Sequence, residues 1–175
     1  VASAVAKAAM ESGVATRPVA DLDAYKTKLD GSVFKSALIM RPVFEAAATA
    51  ARRIVFAEGE DERVLRAANA MIEETTDAPI LIGRPDVIAR RAERAGLAIV
   101  PGRDFEVVNP ERDDRYREYW SAYHELMARK GVTPDLAKAI MRTNSTAIGG
   151  IMVHLGHADS LIAGTFGQYL WHLNY

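Results

Sequence analysis

The chain has 175 residues, 49% of them hydrophobic, with 22 Lys and Arg against 23 Asp and Glu for a formal charge of −1, and no cysteine. That balance leaves no basic surplus to hold a nucleic-acid backbone. The lack of cysteine excludes disulfides, thiolate chemistry and cysteine-ligated zinc. No apolar run approaches the ~20 residues of a bilayer crossing, and no secretory leader is recognisable, so a cytoplasmic protein without membrane partners is expected.

Val1–Ser12 is alanine-rich and reads as a helix with Gly13 as its C-cap. Pro18 biases Arg17 toward extended backbone, so the chain leaves the helix there. Asp21–Leu29 and Val33–Ala50 read as further helices separated by Asp30-Gly31-Ser32, and Pro42 predicts a break near Met40–Arg41. This helical segment covers residues 1–50. From residue 51 to 175 the rhythm becomes alternating strand and helix. The most informative run is Arg52–Ala68, where Ile54–Ala57 is a short β-favouring apolar strand. Gly59 supplies a sharp turn, Asp61 caps the next helix, and Glu60 and Glu62 suit its positive end. Val64, Leu65, Ala67, Ala68 and Met71 then form an apolar stripe at helical spacing. Glu58–Glu62 reads first as helix capping; the alternative is that it lines a ligand cleft at the strand's carboxyl end.

Further strands are predicted at Pro79–Ile82, Phe105–Val108 and Ser160–Ala163. Helices are predicted at Asp61–Glu74, Pro85–Ala95, Asp113–Arg129, Pro134–Thr143 and Thr146–Leu155. Alternation with apolar strands predicts an α/β fold, a parallel sheet sandwiched by helices in three Rossmann-like layers, preceded by the helical segment. Three successive helices before the last strand make one crossover long. The chain starts at Val1 rather than Met and ends within Trp171–Tyr175 without a stop signal, so it reads as a piece of something longer.

His154 and His157 are three apart, but Gly156 ends their helix and no acidic partner stands at metal-ligand spacing, so no metal site is expected. His124 reads as a surface or hydrogen-bonding residue. Arg84, Arg90, Arg91, Arg94 and Arg103 read as a solvated basic face. Arg84 is singled out because it closes a strand, where a guanidinium can clamp a cofactor phosphate. Tyr116, Tyr119, Trp120 and Tyr123 recur at helical spacing and read as packing, with part of the stripe open to an oligomer contact. Asn144-Ser145-Thr146 is a helix start. Gly164 and Gly167 flank a turn after a strand expected to be buried, where backbone can approach a ligand closely. No GxSxG, Walker or GxGxxG pattern is present.

Taken in order, Glu11–Tyr25 (Glu-Ser-Gly-Val-Ala-Thr-Arg-Pro-Val-Ala-Asp-Leu-Asp-Ala-Tyr) resembles the segment that closes the catalytic part of bacterial malic enzymes. Ala57–Ala68, Pro79–Pro85, Tyr116–Trp120, Tyr123–Leu126 and Lys130–Pro134 are similar to the phosphate acetyltransferase-like region fused behind it in the long, NADP-dependent, multimodular type. The resemblance implies that the malate and NADP sites and the Mg or Mn ligands lie upstream of Val1. It implies that this chain carries the first of two α/β subdomains, with the key serine, arginine and aspartate of active transferases beyond Tyr175. Two further arginines of those transferases have no counterpart: Met127 stands where one is expected, and Asn174 near the other.

The resemblance therefore implies a regulatory and oligomerisation module of an NADP-dependent malic enzyme, sensing acetyl-CoA and lacking transferase activity. No catalytic residue is expected here; the effector contacts expected are Arg84, Gly164, Thr165 and Gly167. An active phosphate acetyltransferase region is the alternative. A structural module is the third reading, with residues 1–50 and the tyrosine stripe buried against a second copy in a homo-oligomer.

Overall fold

A computed structural model describes residues 2–33, 42–43, 46, 52–74 and 79–174. The chain divides into two compact units, Val1–Ala50 and Ala51–Tyr175. In the first, helix α1 spans Ala2–Glu11 and helix α2 spans Leu22–Val33. Gly13 follows α1 with φ +74°, and the Asp21 carboxylate accepts from the Asp23 and Ala24 amides at the start of α2. The expected interruption at Asp30-Gly31-Ser32 does not occur. One glycine costs a helix only about 1 kcal/mol, too little to stop one whose start is capped. Most of the helix expected over Val33–Ala50, including its break, lies outside the described residues.

The second unit holds β1 (Ile54–Phe56), α3 (Glu62–Glu74), β2 (Ile80–Ile82), α4 (Pro85–Arg94) and β3 (Glu106–Val108). After these come α5 (Tyr116–Met127), a 3-10 turn at Ala128–Lys130, α6 (Pro134–Thr143), α7 (Ser145–His154), β4 (Ser160–Ile162) and α8 (Tyr169–Leu173). The strands form one parallel sheet in the order β3-β2-β1-β4, with Val55 opposite Ile80 and Leu161. Alternate strand residues point to opposite faces, and the core divides accordingly. Val55, Ile80, Ile82 and Val108 pack with Tyr119, Tyr123, Met141, Ile148 and Met152 of α5–α7. Phe56 and Leu81 pack with Val64, Leu65, Ala68, Ile88 and Ala92 of α3 and α4. The three-layer α/β architecture is as the alternation predicts.

Three local departures have physical causes. Helix α5 begins at Tyr116, because the Asp113 carboxylate accepts from the Arg115 amide and guanidinium and holds a turn ahead of it. Strand β4 is an edge among the described residues rather than a buried strand. Leu161 packs beneath α7, while Ile162 is 48% exposed. The tyrosine stripe is consumed within the chain: Tyr119 and Tyr123 are buried, and the Tyr116 hydroxyl donates to the Lys138 carbonyl of α6. Tyr119 and Tyr123 thus belong to a helix–helix seam, while Trp120 beside them is only partly buried. Among the described residues no helix is long and apolar enough to cross a membrane.

Candidate functional site

The chain runs from β1 outward through β2 to β3, then returns past β1 to place β4 on its other side. Open parallel sheets bind ligands where the direction reverses, outside the carboxyl ends of the strands. Here those ends belong to β1 and β4, with β2 alongside. Gly59 lets them converge. It has no positive φ; a Cβ on it would stand 2.7 Å from the Ile82 carbonyl oxygen and 2.8 Å from the Leu81 Cβ. The glycine thus serves close approach of β1 to β2 within the turn expected there, which the Asp61 amide closes on the Glu58 carbonyl at 2.9 Å, and its own amide donates to the Ile82 carbonyl at 3.1 Å.

The acidic run divides by role. Asp61 caps α3: its Oδ1 accepts from the Arg63 amide at 2.9 Å, and its carboxylate pairs with the Arg63 guanidinium. Hydrogen bonding to that guanidinium lowers the Asp61 pKa from 3.8 to about 2. Glu60 grips Arg84 through both oxygens, at 2.9 and 3.0 Å, and also accepts the Arg84 amide. The same guanidinium holds the Glu60 carboxyl below its ordinary range, against the opposing pull of burial. Glu58 does neither. It is buried, 7% exposed, and its Oε1 accepts from the Gly164 amide at 2.8 Å. Its Oε2 is buried and meets no donor among the described residues, and the same holds for the Thr165 hydroxyl.

A cleft of about 350 Å³ opens over these strand ends, lined by Glu58, Gly83, Arg91, Arg142, Ser145 and Phe166 among others. Arg91 comes from α4 on one face of the sheet and Arg142 from α6 on the other. Arg91 donates to the Glu60 carbonyl at 2.5 Å and Arg142 to the Glu111 carbonyl at 2.6 Å. Arg142 also lies 4.0 Å above the Tyr116 ring. The cleft therefore offers two guanidiniums, one buried acceptor and the start of α7, a set suited to a hydroxylated anion.

Of the residues singled out by sequence, Arg84 lies beside the cleft but is committed to Glu60. Gly164 supplies the amide bound by Glu58, and Thr165 also accepts Arg63 at its carbonyl, 2.7 Å away. Gly164 (φ +105°) and Gly167 (φ +92°) border a second cavity of about 460 Å³ with Thr146, Leu161, Tyr169 and His172. Met127 lines a small apolar pocket of about 210 Å³ with Ile151 and His154, and Asn174 is exposed. His157 turns toward Tyr119, 3.3 Å from its hydroxyl, away from His154. Among the described residues no three His, Cys, Asp or Glu side chains are placed to hold a metal ion. Glu58, Arg91 and Arg142 carry the cleft. The alternative reading of Glu58–Glu62, a cleft lining at the strand's carboxyl end, holds for Glu58, Glu60 and Asp61, whereas the spacing that reads Arg91 as a solvated cation hides its place there. Arg142 had only its place two residues before the capping Asn144 to mark it.

The sequence model of the phosphate acetyl/butaryl transferase family matches residues 38–174. The chain is 59% identical over 174 residues to the NAD-dependent malic enzyme of Rhizobium meliloti (strain 1021), covering 99% of this chain and 23% of that protein. It is 51% identical over 174 residues to the NADP-dependent malic enzyme of Salmonella typhimurium, again covering 99% of this chain and 23% of the relative. The chain thus spans about a quarter of the length of these relatives. A phosphotransacetylase from Streptococcus pyogenes superposes with a TM-score of 0.69 at 26% identity, over 77% of this chain and 40% of that one.

Proposed function

We propose that this chain, which belongs to the phosphate acetyl/butaryl transferase family, is a regulatory and oligomer-forming segment of a malic enzyme, binding acetyl-CoA without transferring its acyl group. The malate oxidation itself, with NADP and a divalent metal, belongs to the remainder of that longer protein. The described residues of this segment do not fit a metal site. The two relatives divide between NAD and NADP, and NADP is the coenzyme proposed here. The cytoplasm is the proposed location.

The observation that carries the reading is the environment of Met127. Acyl transfer between a thioester and phosphate needs fixed cations on the phosphoryl oxygens and donors at the developing oxyanion. Where the family resemblance expects a guanidinium, the Met127 thioether packs against the apolar core of α5–α7. Asn174, near the second expected arginine, is an amide. The cavity beside Gly164 and Gly167, walled by Leu161, Tyr169 and Leu173, supports a segment that still accommodates part of a thioester ligand. Thr165 follows Gly164 directly, and Arg84 is released for a ligand only if it parts from Glu60.

The test is calorimetric titration of the full-length polypeptide with acetyl-CoA, beside an assay for acetyl phosphate formation from acetyl-CoA and phosphate. Saturable binding with no acetyl phosphate supports the reading. Turnover comparable to a dedicated transferase replaces it with the enzymatic one, and absence of saturation at millimolar acetyl-CoA removes the effector.

A further inference from the structure

We infer that the cleft at the carboxyl ends of β1 and β2 is a binding site for a small phosphate monoester that carries a neighbouring hydroxyl. This goes beyond the acetyl-CoA reading where the ligand is a free polyol phosphate, and rests on that reading only where it is the phosphorylated ribose of the cofactor.

A carboxylate oxygen taken out of water is costly unless donors meet it. One oxygen of Glu58 has the Gly164 amide, while the other, equally buried, has no donor among the described residues. Glu58 lines the cleft, so a ligand lying there is positioned to supply the missing hydrogen.

The charge around the cleft decides what kind of ligand. Glu60 and Asp61 also line it, but Arg84 and Arg63 neutralise them at close range. Arg91 and Arg142 each spend a nitrogen on a backbone carbonyl, and neither pairs with a carboxylate among the described residues. They reach the cleft from helices on opposite faces of the sheet, so an anion between them meets guanidinium on two sides. Ser145 adds the first residue of α7, a 10-residue helix whose cap Asn144 occupies the Ala147 amide, and helix starts favour phosphate. An ammonium donor for Glu58 would be repelled by the two arginines; a neutral hydroxyl would not. The result is cations and a helix start for a phosphate, with a carboxylate for an adjoining hydroxyl, the division of labour used wherever an acidic residue holds a ribose beside a bound phosphate.

Size sets the upper limit. At about 350 Å³ the cleft is at the lower end of the roughly 300–1,000 Å³ usual for ligand pockets. It suits a polyol phosphate, or the phosphorylated sugar of a larger nucleotide, rather than a whole acyl-CoA.

Calorimetry on the full-length polypeptide tests this with four probes: glycerol 3-phosphate, adenosine 3′-monophosphate, inorganic phosphate and glycerol. At least one of the first two is expected to bind saturably, about ten-fold or more tighter than inorganic phosphate, with glycerol alone silent. Preference for glycerol 3-phosphate assigns a free metabolite, and preference for the nucleotide assigns the end of a cofactor. Arg142→Gln should weaken every phosphate probe by about ten-fold. Glu58→Gln should leave inorganic phosphate bound at least as tightly, since a like charge is removed, and erase the advantage of the hydroxylated probes. Arg91→Gln repeats the charge test if Arg142→Gln does not fold, and methyl phosphate against glycerol 3-phosphate on the unaltered polypeptide repeats the hydroxyl test if Glu58→Gln does not. Absence of saturable binding by both esters at millimolar concentration overturns the inference, as does undiminished binding in Arg142→Gln.

Discussion

The Glu58 carboxylate and the Gly164 amide, 106 positions apart in sequence, meet at 2.8 Å and tie the carboxyl end of β1 to the loop after β4. The same two strands are joined at their other end, where the Asp159 carboxylate accepts the Arg53 amide at 2.7 Å and the Arg53 guanidinium reaches the Gly156 carbonyl at 2.8 Å. An edge strand with one neighbour is thereby fixed at both ends.

That relationship predicts the order of two substitutions at Glu58. Glu58→Ala strands the Gly164 amide and opens a void, so it should cost about 1–3 kcal/mol. Glu58→Gln keeps a carbonyl oxygen for Gly164 and should cost under about 1 kcal/mol. Urea denaturation midpoints, read with unchanged slopes, measure both. Equal losses would show that the bond to Gly164 is not what Glu58 contributes to the fold.

Two buried glycines should respond differently to alanine. At Gly59 the new methyl would meet the Ile82 carbonyl oxygen at 2.7 Å, and backbone inside a sheet cannot retreat. Gly59→Ala should therefore cost about 1–3 kcal/mol. At Gly149 the obstacle is the Leu161 Cδ1 at 2.5 Å, the end of a side chain able to rotate on a half-exposed edge strand. Gly149→Ala should cost less, because removing a glycine from a helix interior returns up to about 1 kcal/mol. Thermal midpoints of the two variants compare them, and a larger drop for Gly149→Ala contradicts this account.

Acid sensitivity follows from the arginine-paired carboxylates. Hydrogen bonds from Arg63 and Arg84 lower the Asp61 and Glu60 pKa values in the folded chain, Asp61 to about 2. A carboxyl depressed on folding stabilises fully above its unfolded pKa of about 4 and loses that contribution as pH falls through the folded value. The melting temperature should hold level from neutrality to about pH 5 and fall between about pH 4 and 2. Arg63→Met should flatten the fall, since Asp61 then titrates near its ordinary value. An unchanged profile would mean the pair contributes nothing once screened by water.

Strand–helix alternation was enough to read the layers, since Ile54–Phe56, Ile80–Ile82 and the stripe of α3 each carry their own period. The edge position of β4 was not readable that way. Leu161 and Ile162 are as apolar as central-strand residues, and the place of β4 outside β1 in the sheet order leaves Ile162 exposed. The cleft was harder still. Glu58, Glu60 and Asp61 are near neighbours and all carboxylates, yet one bonds a distant amide, one an arginine and one a helix start. Which does which depends on Gly164, Arg84 and Arg63 arriving from elsewhere, and local spacing holds no trace of two of those three. Arg91 and Arg142 converge only because α4 and α6 flank the same sheet edge from opposite faces.

Arg142 is held by an aromatic ring as well as by the Glu111 carbonyl. Its guanidinium lies 4.0 Å over the Tyr116 ring, while the Tyr116 hydroxyl donates to the Lys138 carbonyl at 2.9 Å. The two contacts use different parts of one side chain and should separate. Tyr116→Phe removes the hydrogen bond, at a cost of about 1 kcal/mol in stability, but leaves the ring beneath Arg142 and so the affinity for glycerol 3-phosphate. Tyr116→Leu removes the ring as well, and with it a cation–π contact of roughly 0.5–1 kcal/mol, so affinity should fall a few-fold beyond any stability change. Urea midpoints and calorimetric titrations of both variants distinguish the two contributions. If neither lowers affinity, the position of Arg142 is set by the Glu111 carbonyl it binds and the ring beneath it is only packing.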